Sequence, residues 1–182
     1  MMRDGITRVA QVNSTKQKLS QAYLRLLASQ PDNAKLSVRK LCLEAGVNQT
    51  TFYRHYKNSV DFVHQVWHGY NEFLFENVII DGRIKLPQWF QFVEEHHTEA
   101  GNLIQNPEFV KLLIKDLFQA MSQDENNKIE FQLYSVALVS VTKYWIEHGF
   151  KYTGIYMNNV FNEMYGSNDS DHPVNQFFDF EL

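Results

Sequence analysis

Residues 37 to 57 read Ser37-Val-Arg-Lys-Leu-Cys-Leu-Glu-Ala-Gly-Val-Asn-Gln-Thr-Thr-Phe-Tyr-Arg-His-Tyr-Lys57. Ser37 is placed to cap a short helix, because its hydroxyl oxygen can accept from a first-turn N–H that has no partner inside the helix. The inward stripe of that helix is Val38, Leu41, Cys42 and Ala45. Gly46 ends it by entering the left-handed conformation without a Cβ clash. Asn48 can cap a second helix, in which Thr51, Phe52 and His55 or Tyr56 follow one turn apart. Helix, Gly-containing turn and helix together predict a helix-turn-helix, with small Ala45 permitting a close crossing and Val47 plugging the corner. The second helix then exposes Gln49, Thr50, Tyr53 and Arg54, hydrogen-bonding residues of the sizes that reach base edges and phosphates. An ordinary helical hairpin would not need the local charge: Arg39, Lys40, Arg54 and Lys57 against Glu44 leave +3 in this stretch.

Working outward, residues 1–12 carry Arg3 and Arg8 without periodicity and read as a flexible basic arm. The arm either reaches an adjacent minor groove or does nothing. Ser14 and Gln17 have the capping-box form, and Leu19, Ala22, Tyr23, Leu26 and Leu27 keep a helical period to Ser29, where Pro31-Asp32-Asn33 follows. A long helix is expected from Ser59 to Asn77, broken by Asp81-Gly82. Pro87 opens a fifth helix through Glu99, Gly101 interrupts, and Pro107 opens another through Met121. Residues 122–128 read as a loop. The helix of residues 127–148 carries two apolar stripes, Phe131, Tyr134, Leu138, Val141 and Trp145 on one and Ile129, Leu133, Val136, Ser140 and Tyr144 on the other. One stripe can face the chain's own core; the other wants a partner. Gly149 ends that helix, Thr153 caps a last one through Tyr165, and the rest reads as a polar tail closed by Phe177-Phe178-Asp179-Phe180. The expectation is an all-α chain of about nine helices, with an arm at 1–12, a DNA-binding domain at 13–57, a regulatory and dimerisation domain at 58–166 and a tail at 167–182.

Composition supports this organisation. Only 4 Pro and 8 Gly occur among 182 residues, about half the usual combined share of roughly 12%, which disfavours turn-rich all-β and Pro/Gly-rich disordered classes. Apolar residues make up 44%, and a chain this long can withdraw on the order of 70% of its unfolded surface from water. Net charge is −4, which taken alone argues against a nucleic-acid partner. Its distribution argues the reverse: residues 1–60 hold 10 Lys/Arg against 3 Asp/Glu, +7, and residues 61–182 hold 7 against 18, −11. Cys42 is the sole cysteine, so a disulfide framework and a multi-Cys zinc site are excluded. No signal-peptide run and no span of roughly 18 apolar residues is visible, so a cytoplasmic protein without a membrane partner is expected.

Between Ser14 and Phe62 the chain resembles the tetracycline-repressor (TetR) family of bacterial transcription regulators. Ala45-Gly46-Val47, Thr51-Phe52-Tyr53 and His55-Tyr56-Lys57-Asn58 fall in family order and spacing. A weaker similarity continues at Trp145-Ile146-Glu147-His148-Gly149-Phe150. The resemblance implies a homodimer that binds a palindromic operator in double-stranded DNA and is released by a small-molecule effector. It places Asn48, Gln49 and Thr50 against bases, with Gln49 the specificity candidate; Arg54 joins the DNA-binding candidates from the exposed face of the second helix alone. It places Ser37, Thr51, Tyr53, His55 and Lys57 against phosphates. Ser59 and Val60 depart from it, since the family usually has Lys and an acidic residue there.

The remaining candidates are less specific. Trp89, Phe92, His96, Phe109, Phe118 and Tyr134 are candidate lining of an effector pocket, each with an alternative as plain core. Ile129, Leu133, Val136, Ser140 and Tyr144 are the candidate dimer face. His64 and His68 stand four apart, and His96-His97 lie among Glu94, Glu95 and Glu99, but no third ligand is fixed by spacing, so no metal or cofactor is expected. Cys42 fits packing better than redox sensing. No phosphate loop, G-x-S-x-G or H-E-x-x-H appears, so no catalytic activity is expected. Two other readings stay open: an activator of the same family controlled by a protein partner, with a filled core behind Trp89 and Phe118, and a helical metal-dependent enzyme built on the histidine cluster.

Overall fold

The structure, a computed structural model, describes residues 14–29, 36–121, 127–166 and 178–179. The basic arm, Pro31-Asp32-Asn33, residues 122–126 and most of the expected tail lie outside them. The chain divides into two compact units, Met1–Phe73 and Leu74–Leu182.

In the first unit the helices are α1 (Ser14–Ser29), α2 (Val38–Ala45), α3 (Gln49–His55) and most of α4 (Ser59–Val78). Ser14 is already helical, so the expected capping role does not fall on it. Helix α1 packs on α2, burying Leu19, Ala22 and Tyr23 of the first and Leu41, Cys42 and Ala45 of the second. Cys42 is thus a core residue, and burial pushes its thiol pKa up, which keeps it protonated and unreactive. Tyr23, Phe52, Tyr56 and Phe62 then form one aromatic cluster, with centroids 4.9 Å apart for Tyr56–Phe62 and 5.7 Å for both Tyr23–Phe62 and Phe52–Phe62. The Trp67 indole N–H donates to the Tyr23 hydroxyl at 3.1 Å, so a buried donor of α4 is satisfied by α1.

In the second unit, α4 runs into a small sheet, a short addition that leaves the chain mostly helical, as expected. Strand β1 (Ile79–Ile80) pairs antiparallel with β2 (Arg83–Lys85), Ile79 opposite Ile84. Asp81 and Gly82 both have positive φ, 51° and 74°, the backbone that Asp-Gly supplies to a two-residue hairpin. The third strand, β3 (Phe178–Asp179), lies parallel to β2, Ile84 opposite Phe178. It falls within the segment expected to be a polar tail. The fold is therefore mostly helical with a three-stranded addition.

Helix α5 (Leu86–Glu95) carries Pro87 in its first turn, as expected. It ends at Glu95, short of the expected Glu99, and His96 caps it with its ring stacked on Phe92 at 4.1 Å and its Nδ1 2.9 Å from the Phe92 carbonyl oxygen. Helix α6 (His97–Ile104) runs through Gly101, where an added Cβ would meet only Ile146 Cγ2 at 3.8 Å, ordinary contact. The last three helices are α7 (Pro107–Met121), α8 (Lys128–Glu147) and α9 (Gly154–Tyr165). Helix α7 packs on α8, and α9 packs chiefly on α5. Gly154 makes that second approach possible, since a Cβ there would lie 3.0 Å from Glu94 Oε2 and 3.4 Å from the Phe90 backbone.

Two tryptophans tie α8 to α5 and to the connection that leads into α9. The Trp89 indole N–H donates to Thr142 Oγ1 at 2.8 Å, and that hydroxyl donates to the Leu138 carbonyl at 2.8 Å, closing a buried polar chain. Trp145 donates to the Tyr152 carbonyl at 2.8 Å and packs edge-on against Phe90 and Phe150. Phe150 has φ 55°, unfavourable for a bulky residue, and the Trp145 contact at 4.8 Å helps hold it there. Thr142→Val keeps the shape but leaves the Trp89 N–H without an acceptor, and should destabilise the fold by about 1–3 kcal/mol in urea unfolding. Thr142→Ser, which retains the hydroxyl, should cost less.

Candidate nucleic-acid interface

The candidate surface is assembled by local capping. Ser37 is extended and its hydroxyl accepts from the Lys40 N–H at 3.4 Å, starting α2 where expected. Gly46 has φ 62°, and its N–H reaches the last carbonyls of α2. The Val47 N–H donates to the Cys42 carbonyl at 2.9 Å, which folds the chain back. Asn48 Oδ1 accepts from the Thr50 N–H at 2.8 Å and starts α3. All three capping expectations hold.

Helix α3 has one fully buried side chain, Phe52, and leaves the rest outside or at the margin. Asn48, Gln49, Thr50, Tyr53, Arg54 and Lys57 are exposed, Thr51 and His55 half-buried. Arg54 Nη2 donates to Thr51 Oγ1 at 2.9 Å, so two residues expected to contact DNA are joined, with the guanidinium drawn along the helix. Tyr53 stands edge-on to Phe52 at 5.3 Å, which orients its ring while the residue stays exposed. The Lys16 ammonium of α1 lies 5.8 Å from the Tyr56 ring centre, a cation of α1 placed against the residue that ends α3.

The one carboxylate of the 37–57 stretch is accounted for. Glu44 Oε1 accepts from Arg25 Nε at 2.7 Å, an exposed pair that ties α1 to α2 and offsets the negative charge beside Arg39 and Lys40. A second acid, Asp61, sits in the first turn of α4, one residue beyond Val60. It accepts from the Lys57 backbone N–H at 2.8 Å, and that bond with one from Gln65 holds its carboxyl below the usual range. Its signal was present in the sequence as Asn58-x-x-Asp61, the pattern already used at Ser14.

The other candidate sets separate by environment. Trp89, Phe92, His96 and Phe109 are buried, while Phe118 and Tyr134 are half-buried. Phe92 and His96 are in ring contact, Trp89 is bonded to Thr142, and Tyr134 stands edge-on to Tyr165 at 6.0 Å. Ile129, Leu133, Val136, Ser140 and Tyr144 are all exposed, Ile129 at 74% and Leu133 at 64%, opposite the buried face of Phe131, Leu138 and Trp145. Among the described residues no three His, Cys, Asp or Glu side chains gather to hold a metal ion, and no helix is long and apolar enough to cross a membrane. Comparison with models of protein families and with curated proteins gives no match for this chain.

Burial sets the alkaline limit of the first unit. It pushes the pKa of Tyr23 and of Tyr56 up to about 12, with the Asp61 charge adding to the rise at Tyr56. A phenol with a higher pKa folded than unfolded holds its proton more tightly in the folded state. The stability it supplies is complete below about pH 10 and falls as pH rises toward 12. Tyr56→Phe should therefore lose less stability than wild type between pH 9 and pH 11, measured as the shift in the urea midpoint.

Proposed function

We propose that the chain is a sequence-specific DNA-binding transcriptional regulator, most simply a repressor, that binds a palindromic operator as a homodimer in the cytoplasm. The observation that carries the reading is α3: a seven-residue helix anchored by Phe52, capped by Asn48, with Gln49, Thr50, Tyr53 and Arg54 turned outward and Lys57 beside them. A helix this short is marginal alone, so a fold that pins it by one aromatic residue is presenting its outer face. Gln49 matches adenine bidentately, and Arg54 and Thr50 extend the readout. Ser37, Thr51, Tyr53, His55 and Lys57 position the phosphates, and Glu44, paired with Arg25, adds little repulsion.

Dimerisation through the second unit is supported by apolar side chains on the outside of its last two helices. Single exposed apolar residues are ordinary, but a row of them along one helix marks an interaction surface. Beside the α8 row, α9 leaves Ile155, at 77% exposure, Tyr156 and Met164 outside, spread over its outward half. A two-fold pairing of α8 and α9 from each subunit covers the α8 row and relates two α3 helices by the symmetry of a palindrome. An effector in residues 58–166 then acts by linkage through α4, effector and operator weakening each other by the same factor, typically worth about 1–3 kcal/mol. Because the only polar atom of Trp89 is already bonded to Thr142, the half-buried Phe118 and Tyr134 are the better candidates for effector contact. The same closure of Trp89 is what the alternative of a protein-controlled activator requires.

Two experiments test the reading. Gln49→Ala should cost about 1–3 kcal/mol and relax preference at one operator position, whereas Lys57→Ala should weaken all sequences alike and lower the salt slope by about one. An unchanged ranking of operator variants with Gln49→Ala removes the base-readout assignment. Sedimentation at micromolar concentration should give a dimer for the wild type and a monomer for Leu133→Asp. A monomeric wild type would sink the dimer.

A further inference from the structure

We infer that Asp61 is a positioning residue for DNA binding: it fixes the backbone at Lys57 and thereby aims the ammonium group that the proposed function places on a phosphate. The inference rests on that function. Its ground is a ring of hydrogen bonds at the start of α4. Asp61 Oδ2 accepts from the Lys57 N–H at 2.8 Å, Asn58 Oδ1 accepts from the Asp61 N–H at 2.9 Å, and Gln65 Nε2 donates to Asp61 Oδ1 at 3.1 Å. Asn58 and Asp61 act reciprocally, as in a capping box, but the returning bond lands one residue earlier, on Lys57. Lys57 follows Tyr56, which is locked in the aromatic cluster, and precedes Asn58, so this bond holds the exposed residue between two fixed ones.

A carboxylate on a surface offered to phosphates is repelled by them, more strongly at low salt. Asp61 stays ionised at neutral pH, because its own hydrogen bonds favour the charged form. Two roles therefore make opposite demands. If the oxygen that receives the Lys57 N–H matters, Asn serves in its place and Ala does not. If the charge merely tunes repulsion, Asn and Ala both strengthen binding.

The test uses the full chain and the duplex that the wild-type protein enriches from random DNA. Asp61→Ala should weaken binding on the order of tenfold, the loss of one charge-assisted contact, and lower the salt slope by about one without changing the ranking of sequence variants. Asp61→Asn should bind as wild type or more tightly. In a Lys57→Ala background Asp61→Ala should have no further effect, whereas a purely structural role would make the two losses add. Tighter binding by Asp61→Ala, additive losses, or wild-type affinity in Asp61→Ala each overturn the positioning role while leaving the regulator reading in place. A wild-type protein that enriches no sequence overturns the regulator reading itself.

Discussion

The burial of Phe52 is the constraint on which the first unit depends. Helix α3 is too short to hold itself, and its single fully buried side chain meets Tyr56 at 5.2 Å and Phe62 at 5.7 Å. Phe62 in turn meets Tyr23, so one ring links α3 to α1 and α4. Edge-to-face and tilted contacts of this kind have preferred geometries, which fix the rotation of the helix about its axis. That rotation decides which residues look outward. Gln49 and Arg54 hold their places because Phe52 holds its own.

The second unit relies on a different device. Its interior is joined by indole N–H groups that find partners within the unit: Trp89 on Thr142, Trp145 on the Tyr152 carbonyl. Each bond gives direction to an otherwise non-directional apolar contact, since an unpaired buried N–H is costly. Helix α8 is shared between two environments as a result. Phe131, Leu138 and Trp145 are consumed by the core, and the opposite row is left to water.

How much was legible follows from the range of each interaction. Ser37, Gly46 and Asn48 could be read because capping chemistry acts within three residues, and the two stripes of α8 because a helix repeats its faces at a fixed period. The break at His96 could not, because no breaker residue marks it. Gly101 misled for the opposite reason: one glycine weakens a helix by only about 1 kcal/mol, and tertiary packing overrides that. Asp81-Gly82 carried the full hairpin signal, but strands of two and three residues are too short to show alternation. At the candidate interface, spacing identified which residues face outward. The Arg25–Glu44 bond is not legible, because its partners lie on different helices; Asn58-x-x-Asp61 signals a cap, but not that the returning bond lands on Lys57.

The parallel pairing of Ile84 with Phe178 joins the beginning of the second unit to a segment beyond its last helix. Helices α5 to α9 all lie between the two strands in the chain. Such a contact carries a large loop-closure entropy and returns only two residue pairs, so it forms after the helices have brought its ends together. The hairpin at the end of α4 closes locally through Asp81-Gly82, whereas the β2–β3 edge waits for the helices that separate its strands in the chain.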